Sequence, residues 1–303
     1  MKQVYCTVLS KYRLYQGIAL YKSLVDNAEY FRLYILCVDD ECYNICSKIG
    51  LKNVALLKIA DLQNDRLTAL RNKRRLSEYC WTLKAFLIEH VLGKIKSGEY
   101  ITYLDADMYF FSNPSVIYKK EMSADVMLSE HDYSKAYKSL SAYCGKYNSG
   151  FMIFKNVTNA LNVLKWWQNQ CLKWCFNKVK EGKFGDQKYL EFMPKLFENV
   201  CSISTKGVNI APWNEEKYNI IKKEGALYVD ADRLVCYHFS GFRILGKNKI
   251  ALASFRKEFN KILHSEYIYT IKAVIEDIER VAPNFDGFGI EKKISKLAKY
   301  YDI

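Results

Sequence analysis

The chain has 303 residues, 50% of them hydrophobic, which is ample for a packed core and excludes a disordered chain. Lys plus Arg number 46 against 33 acidic residues, a formal +13 that suits polyanions, anionic lipid surfaces or phosphate-bearing ligands. No helix-turn-helix spacing, zinc finger or RNA-binding aromatic signature accompanies the charge, so the reading is of a protein with no nucleic-acid partner.

The first hundred residues predict repeated strand-then-helix units. A strand over Val4–Leu9 is followed by helical spacing over Leu14–Leu24, and a second strand, Arg32–Val38, by a helix over Glu41–Ile49. A third strand spans Asn53–Ile59, with another helical segment opening at Asp61-Leu62. Leu76–Leu92 reads as a helix leading into the strand Tyr100–Leu104. Further strands are expected at Asp125–Ser129 and Gly150–Lys155, then a long helix from Asn159 to about Val179 that buries Trp166, Trp167 and Trp174. A helical tract from Ala253 to Ala282 precedes a short basic helix over Gly289–Tyr301, with Ile290, Ile294, Leu297 and Tyr301 on one stripe. Strands alternating with helices argue for a mostly parallel sheet covered on both faces, whose ligands bind beyond the carboxyl ends of the strands.

The terminal basic helix has two readings, packing onto the main domain or attachment to anionic membrane. The chain carries no signal peptide ahead of the first strand and no apolar run of membrane-spanning length, which points to a cytoplasmic protein, with peripheral contact at the inner face of the membrane through 289–301 as the second reading. Ten cysteines are scattered without a Cys-x-x-Cys pair; Cys42/Cys46 and Cys171/Cys175 are each four apart. With no third ligand nearby in sequence, they read as buried free thiols of a reducing compartment.

The most informative stretch is Tyr103-Leu104-Asp105-Ala106-Asp107-Met108-Tyr109. Alternation along an extended chain would point Asp105 and Asp107 to one side, where two like charges repel unless a cation lies between them. Oxygen ligands select a hard divalent ion such as Mg²⁺ or Mn²⁺, which brings a phosphate-bearing substrate with it.

Several blocks occur in order with this one. They are Cys6–Ser10 with Tyr15–Leu24, Cys80-Trp81-Thr82-Leu83-Lys84, Tyr147-Asn148-Ser149-Gly150-Phe151-Met152, Gly185-Asp186-Gln187, Asn209–Asn214 and Tyr237-His238-Phe239-Ser240-Gly241-Phe242. The set resembles the GT-A fold glycosyltransferases that use nucleotide-diphospho-sugars, in particular bacterial members akin to the retaining galactosyltransferase and glycogenin-type enzymes. The resemblance covers residues 3–245. It implies an α/β, Rossmann-like GT-A fold with a mostly parallel central sheet flanked by helices, a transferase domain over 1–250 and a C-terminal helical extension over 251–303.

The resemblance also implies roles. Asp105, Asp107 and His238 would hold Mn²⁺ or Mg²⁺, and an imidazole suits Mn²⁺ better. Thr7, Leu9 and Ser10 would meet the base and ribose, largely through backbone groups, and Lys84, Asp105 and Ala106 would contact the donor. Gly241 would let the backbone approach the diphosphate. Family members carry His-x-x-Gly-x-x-Lys, but Ile244 occupies the lysine position here, leaving Arg243 or Lys247 as the phosphate-binding cation. Asp186, Gln187 and Asn148 would line the sugar, with Asp186 near the anomeric carbon; a helix N-cap is its structural alternative. The implied activity is metal-dependent transfer of a sugar from a UDP-linked donor, with retention, to a glycan or lipid-linked saccharide of a bacterial surface polymer. Two other readings stand beside it. One is a non-catalytic nucleotide-sugar binding protein. The other is a sugar nucleotidyltransferase, disfavoured because Ser10-Lys11-Tyr12-Arg13-Leu14 lacks a glycine-rich phosphate loop.

Overall fold

The computed structural model describes residues 3–121, 124–252, 259–289 and 298–303. In chain order the first half comprises β1 (Gln3–Leu9), α1 (Leu14–Asn27), β2 (Phe31–Cys37), α2 (Asp40–Ile49), β3 (Val54–Lys58), α3 (Asp65–Leu70), α4 (Leu76–Leu92), β4 (Tyr100–Leu104), β5 (Met108–Phe110), α5 (Ser115–Glu121), β6 (Val126–Glu130), α6 (Ser141–Cys144) and β7 (Tyr147–Lys155). The second half adds α7 (Thr158–Lys173), α8 (Met193–Leu196), β8 (Val200–Ser202), β9 (Ile220–Lys223), β10 (Ala226–Val229), β11 (Asp232–Arg233), β12 (Cys236–His238), β13 (Phe242–Gly246), β14 (Lys249–Leu252), α9 (Lys261–Val281) and β15 (Lys299–Asp302).

The central sheet has seven strands in the order β3-β2-β1-β4-β7-β6-β8. Strands β3, β2, β1 and β4 run parallel, and β7 alone is antiparallel to its neighbours β4 and β6. The period of two is visible in β1. Tyr5 and Leu9 enter one core cluster, with residues of α1, α2 and α9, while Val4, Cys6 and Val8 enter a second, with residues of α4 and α7. A sheet buried on both faces explains why β4, Tyr-Ile-Thr-Tyr-Leu, has no exposed residue. The carboxyl ends of β1, β2 and β4 therefore open at one edge, and the site lies there.

A small two-stranded sheet does the rest of the positioning. Strand β12 pairs antiparallel with β5, setting His238 opposite Met108, next to Asp107. The amide of Phe239 donates to the carbonyl of Asp107 at 2.8 Å, so the C-terminal strand is fastened to the acidic turn by backbone.

Three local expectations change. Helix α7 stops at Lys173, because Trp174 is extended (φ −156, ψ 123) and its carbonyl accepts from Tyr189 Oη at 2.9 Å. Trp167 is fully buried, whereas Trp166 and Trp174 are partly so. The basic terminal helix is not continuous to Tyr301: Lys299–Asp302 forms β15, an edge strand paired antiparallel with β14, and Tyr301 Oη accepts from the amide of Phe259. Most of its stripe, residues 290–297, lies outside the described residues. Among the described residues, no helix is long and apolar enough to cross a membrane.

Candidate active site

Strand β4 ends at Leu104, and Asp105-Ala106-Asp107 is a turn closed by the amide of Met108 donating to the carbonyl of Asp105 at 3.0 Å. The two carboxylates converge through that turn, rather than through strand alternation. One oxygen of each and one ring nitrogen of His238 all lie within 4.8 Å of one another. Two carboxylates and an imidazole form a donor set that fits Mn²⁺ or Mg²⁺.

Close packing around these groups is made possible by Gly150 in β7. A Cβ there would sit 2.6 Å from His238 Cε1, 2.7 Å from Asn148 Oδ1 and 3.0 Å from Asp105 Oδ2. His238 is held from behind. Its Nδ1 faces Asn209 Oδ1 at 3.3 Å, its Nε2 faces Asp107 Oδ1 at 3.1 Å, and Trp213 stands edge-on at 5.2 Å. A bond from Nδ1–H to Asn209 would leave Nε2 its lone pair, the arrangement of a metal-ligating histidine.

Lys84 is the hub of the site. Its side chain is 3% exposed, and Nζ lies 2.9 Å from Asp105 Oδ1, 3.3 Å from Asp186 Oδ2 and 3.0 Å from Ser149 Oγ. Burial alone would lower its pKa, but Asp105 and Asp186 hold it above the ordinary lysine range. Asp186 is pushed up by burial, with Lys84 only partly opposing, since one ammonium serves two carboxylates. It does not cap the helical turn that follows; its side chain makes no capping bond there. Burial also acts upward on Asp107, yet His238, Arg13 and Arg243 draw it well below the carboxylate range.

Two adjoining hollows share this edge. The larger, about 390 Å³, is lined by Ser10, Lys84, Asp105, Ala106 and Arg243 among others. The smaller, about 240 Å³, adds Asn148, Asp186, Gln187, His238 and Gly241. The residues expected to act together are thus mostly together.

Three expected residues stand apart. Thr7 and Leu9 line neither hollow. Leu9 packs against Gly17 in the core, and its carbonyl is taken by the amide of Val38 at 2.9 Å. Lys247 points away, paired with Glu279 of α9 at 2.6 Å. Arg243 is the cation in the cleft, and a second, Arg13, joins it from the turn after β1. Arg13 lines both hollows, with Nη1 3.9 Å from Asp107 Oδ2 and in contact with Gln16. Its proximity, then burial, pulls the Arg243 guanidinium down to about 9.

Sequence reasoning gave no role to Arg13, Asn209 or Trp81, which edges both hollows. A cation just past the carboxyl end of the first strand was the available signal for Arg13. Nor did it find a third thiol for Cys42 and Cys46; Cys37, at the end of β2, meets both.

The profile of the nucleotide-diphospho-sugar transferase family matches residues 31–210, a stretch that holds Lys84, the acidic turn, Asn148 and Asp186. The chain belongs to this family. It is a glycosyltransferase whose donor is a nucleotide-linked sugar. The transferase is 38% identical over 296 residues to the uncharacterised protein YfnF of Bacillus subtilis (strain 168), covering 95% of this chain and 98% of that one. It is 30% identical to YfnD of the same organism, covering 94% of each. Among solved structures, it is similar to the galactosyltransferase LgtC, crystallised with donor and acceptor sugar analogues, with a TM-score of 0.58 at 12% identity over 89% of this chain and 95% of that one. It is also similar to the apo glycosyltransferase GlyE of Streptococcus pneumoniae TIGR4, with a TM-score of 0.52 at 14% identity over 92% of this chain and 63% of that one. These likenesses carry the GT-A fold.

Proposed function

We propose that the transferase moves a hexose from a UDP-linked donor to a glycan or lipid-linked saccharide, in a metal-dependent reaction that retains the anomeric configuration. The observation that carries this reading is the charge inventory of the cleft. Three cations, Arg13, Lys84 and Arg243, face three carboxylates, Asp105, Asp107 and Asp186. A divalent ion on Asp105, Asp107 and His238 leaves a surplus of two positive charges, which the diphosphate of a donor cancels. Held there, Mn²⁺ or Mg²⁺ would supply charge that stabilises the departing diphosphate.

The side chains divide the remaining work. Arg13 and Arg243 grip the diphosphate; their mutual repulsion is relieved when an anion lies between them. The larger hollow, bounded by Val8, Ser10 and Cys80, takes the nucleoside. The smaller takes the sugar, with Asn148 and Gln187 as hydrogen-bond partners for hydroxyls and Asp186 for the anomeric centre. Lys84 opposes the burial that raises Asp186 while tying it to the acidic turn, which fixes donor and sugar groups relative to each other.

The test is a donor panel of UDP-glucose, UDP-galactose, their N-acetyl forms and GDP-mannose, with Mn²⁺, Mg²⁺ or EDTA. One UDP sugar should be hydrolysed or transferred with the ion and not with EDTA, and NMR should find the product anomer of the donor's configuration. Turnover of GDP-mannose alone, turnover in EDTA, or an inverted product would each overturn the corresponding part.

A further inference from the structure

Away from the cleft, three free cysteines converge. Cys37 is the last residue of β2, and Cys42 and Cys46 lie one helical turn apart on the buried face of α2. Their sulfurs all lie within 4.8 Å of one another, and all three residues are buried. We propose that Cys37, Cys42 and Cys46 form a binding site for one soft, thiolate-seeking cation, Cu⁺ or Zn²⁺.

Geometry separates this from a disulfide. Residues four apart on a helix hold their Cβ atoms about 5–6 Å apart. A disulfide needs about 3.5–4.5 Å, so Cys42 and Cys46 cannot couple while α2 stays intact. Cys37 can couple to only one of them, which leaves the third sulfur without a role. A metal–sulfur bond of about 2.3 Å in a trigonal set puts sulfurs roughly 4 Å apart, and three convergent thiols meet that spacing. Ordinary core packing does not require the convergence. Cys171 and Cys175 are also buried and four apart, yet among the described residues no third ligand joins them.

The donor set also sorts the ions. Sulfur alone rejects Mn²⁺ and Mg²⁺, so the hard ions suited to the oxygen-rich acidic turn do not compete for the cysteines. No fourth His, Cys, Asp or Glu atom joins the trio among the described residues, which suits three-coordinate Cu⁺, while Zn²⁺ would add a solvent ligand. Loading converts the thiols to thiolates and releases their protons to solvent; no electron is transferred.

The site lies under the support of Arg13. Asp39, between Cys37 and Cys42, accepts from the amide of Cys42 at 2.9 Å and from the amide of Lys11 at 2.9 Å. Lys11 starts the turn that carries Arg13 into the cleft. A cation clamping β2 to α2 therefore steadies that turn, and loading should lower the donor KM with kcat unchanged. That consequence rests on the proposed function; the site itself does not.

The test loads the reduced full-length chain with Cu⁺ or Zn²⁺ in separate anaerobic arms, using an Asp107→Ala background to remove the hard-ion site. Metal content after gel filtration should be one equivalent per chain and should persist in Cys171→Ser. Cys37→Ser and Cys42→Ser should each lose at least tenfold in affinity. X-ray absorption should find sulfur ligands, and one equivalent should raise the melting temperature of the Asp107→Ala chain with its cysteines intact, a readout that survives if the cysteine variants fail to fold. No retained ion and no thermal shift, equal retention in Cys37→Ser, or a shell without sulfur would overturn the proposal. So would recovery of only a Cys37–Cys42 or Cys37–Cys46 disulfide.

Discussion

Substituting Gly150 by alanine probes the packing that brings the acidic turn and His238 together. The new Cβ would sit 2.6 Å from His238 Cε1, against an ordinary contact beginning at 3.4 Å, so the imidazole must yield by about 0.8 Å (3.4 − 2.6). It cannot retreat freely, because Trp213 and Asn209 lie behind it. Overpacking of this kind costs about 1–3 kcal/mol of stability. A misplacement approaching 1 Å costs on the order of a hundredfold in rate. Gly246 is the control: a Cβ added there would meet nothing within 4 Å, so Gly246→Ala should be silent. The assay pairs Mn²⁺ titration calorimetry with donor turnover and melting temperature. Gly150→Ala should lose about two orders of magnitude in kcat/KM and at least tenfold in ion affinity. Full activity and affinity in Gly150→Ala would refute the packing argument.

Arg13→Ala and Arg243→Ala should each raise the donor KM by about tenfold or more, the scale of a charge-assisted bond to phosphate, whereas Lys247→Ala should change nothing in steady-state kinetics. Lys84→Met leaves Asp105 and Asp186 without their shared cation, which costs about 3–5 kcal/mol by chemical denaturation. Since burial already raises Asp186 and Lys84 opposes it, the substitution should move the acid limb of the kcat–pH profile to higher pH. Burial holds His131 down to about 3 from an ordinary 6.5, so the unfolded chain binds the extra proton between those values. Its contribution is complete above pH 6.5 and falls as pH drops, by up to about 1.4 kcal/mol per unit; His131→Gln should flatten that part of a urea-denaturation pH series.

Much of the architecture is legible because hydrophobic periodicity is local. Leu76–Leu92 is bounded as its pattern predicts, and the strand at Tyr100 ends where the first carboxylate begins. The failures are tertiary. Trp174 reads as helical but is drawn out of α7 by Tyr189, and residues 299–301 read as helix but lie in β15, which completes a sheet edge offered by β14. The cleft divides the same way. Carboxylates and histidine announce themselves by type and order, whereas Arg13 offers only its place just past the first strand, and Cys37 gains its meaning where β2 meets α2 in space. Leu9, next to Ser10, and Lys247, four residues beyond Arg243, point elsewhere because alternation and an ion pair with Glu279 direct them.

In the proposed function the acidic turn, His238 and the two arginines form one site that takes a divalent ion and a diphosphate together. Calorimetric titration of UDP into the protein, with and without Mn²⁺, tests it directly. Binding should strengthen at least tenfold with the ion and lose that gain in Asp107→Ala. Equal affinity in the presence and absence of Mn²⁺, or a gain that survives Asp107→Ala, would contradict it.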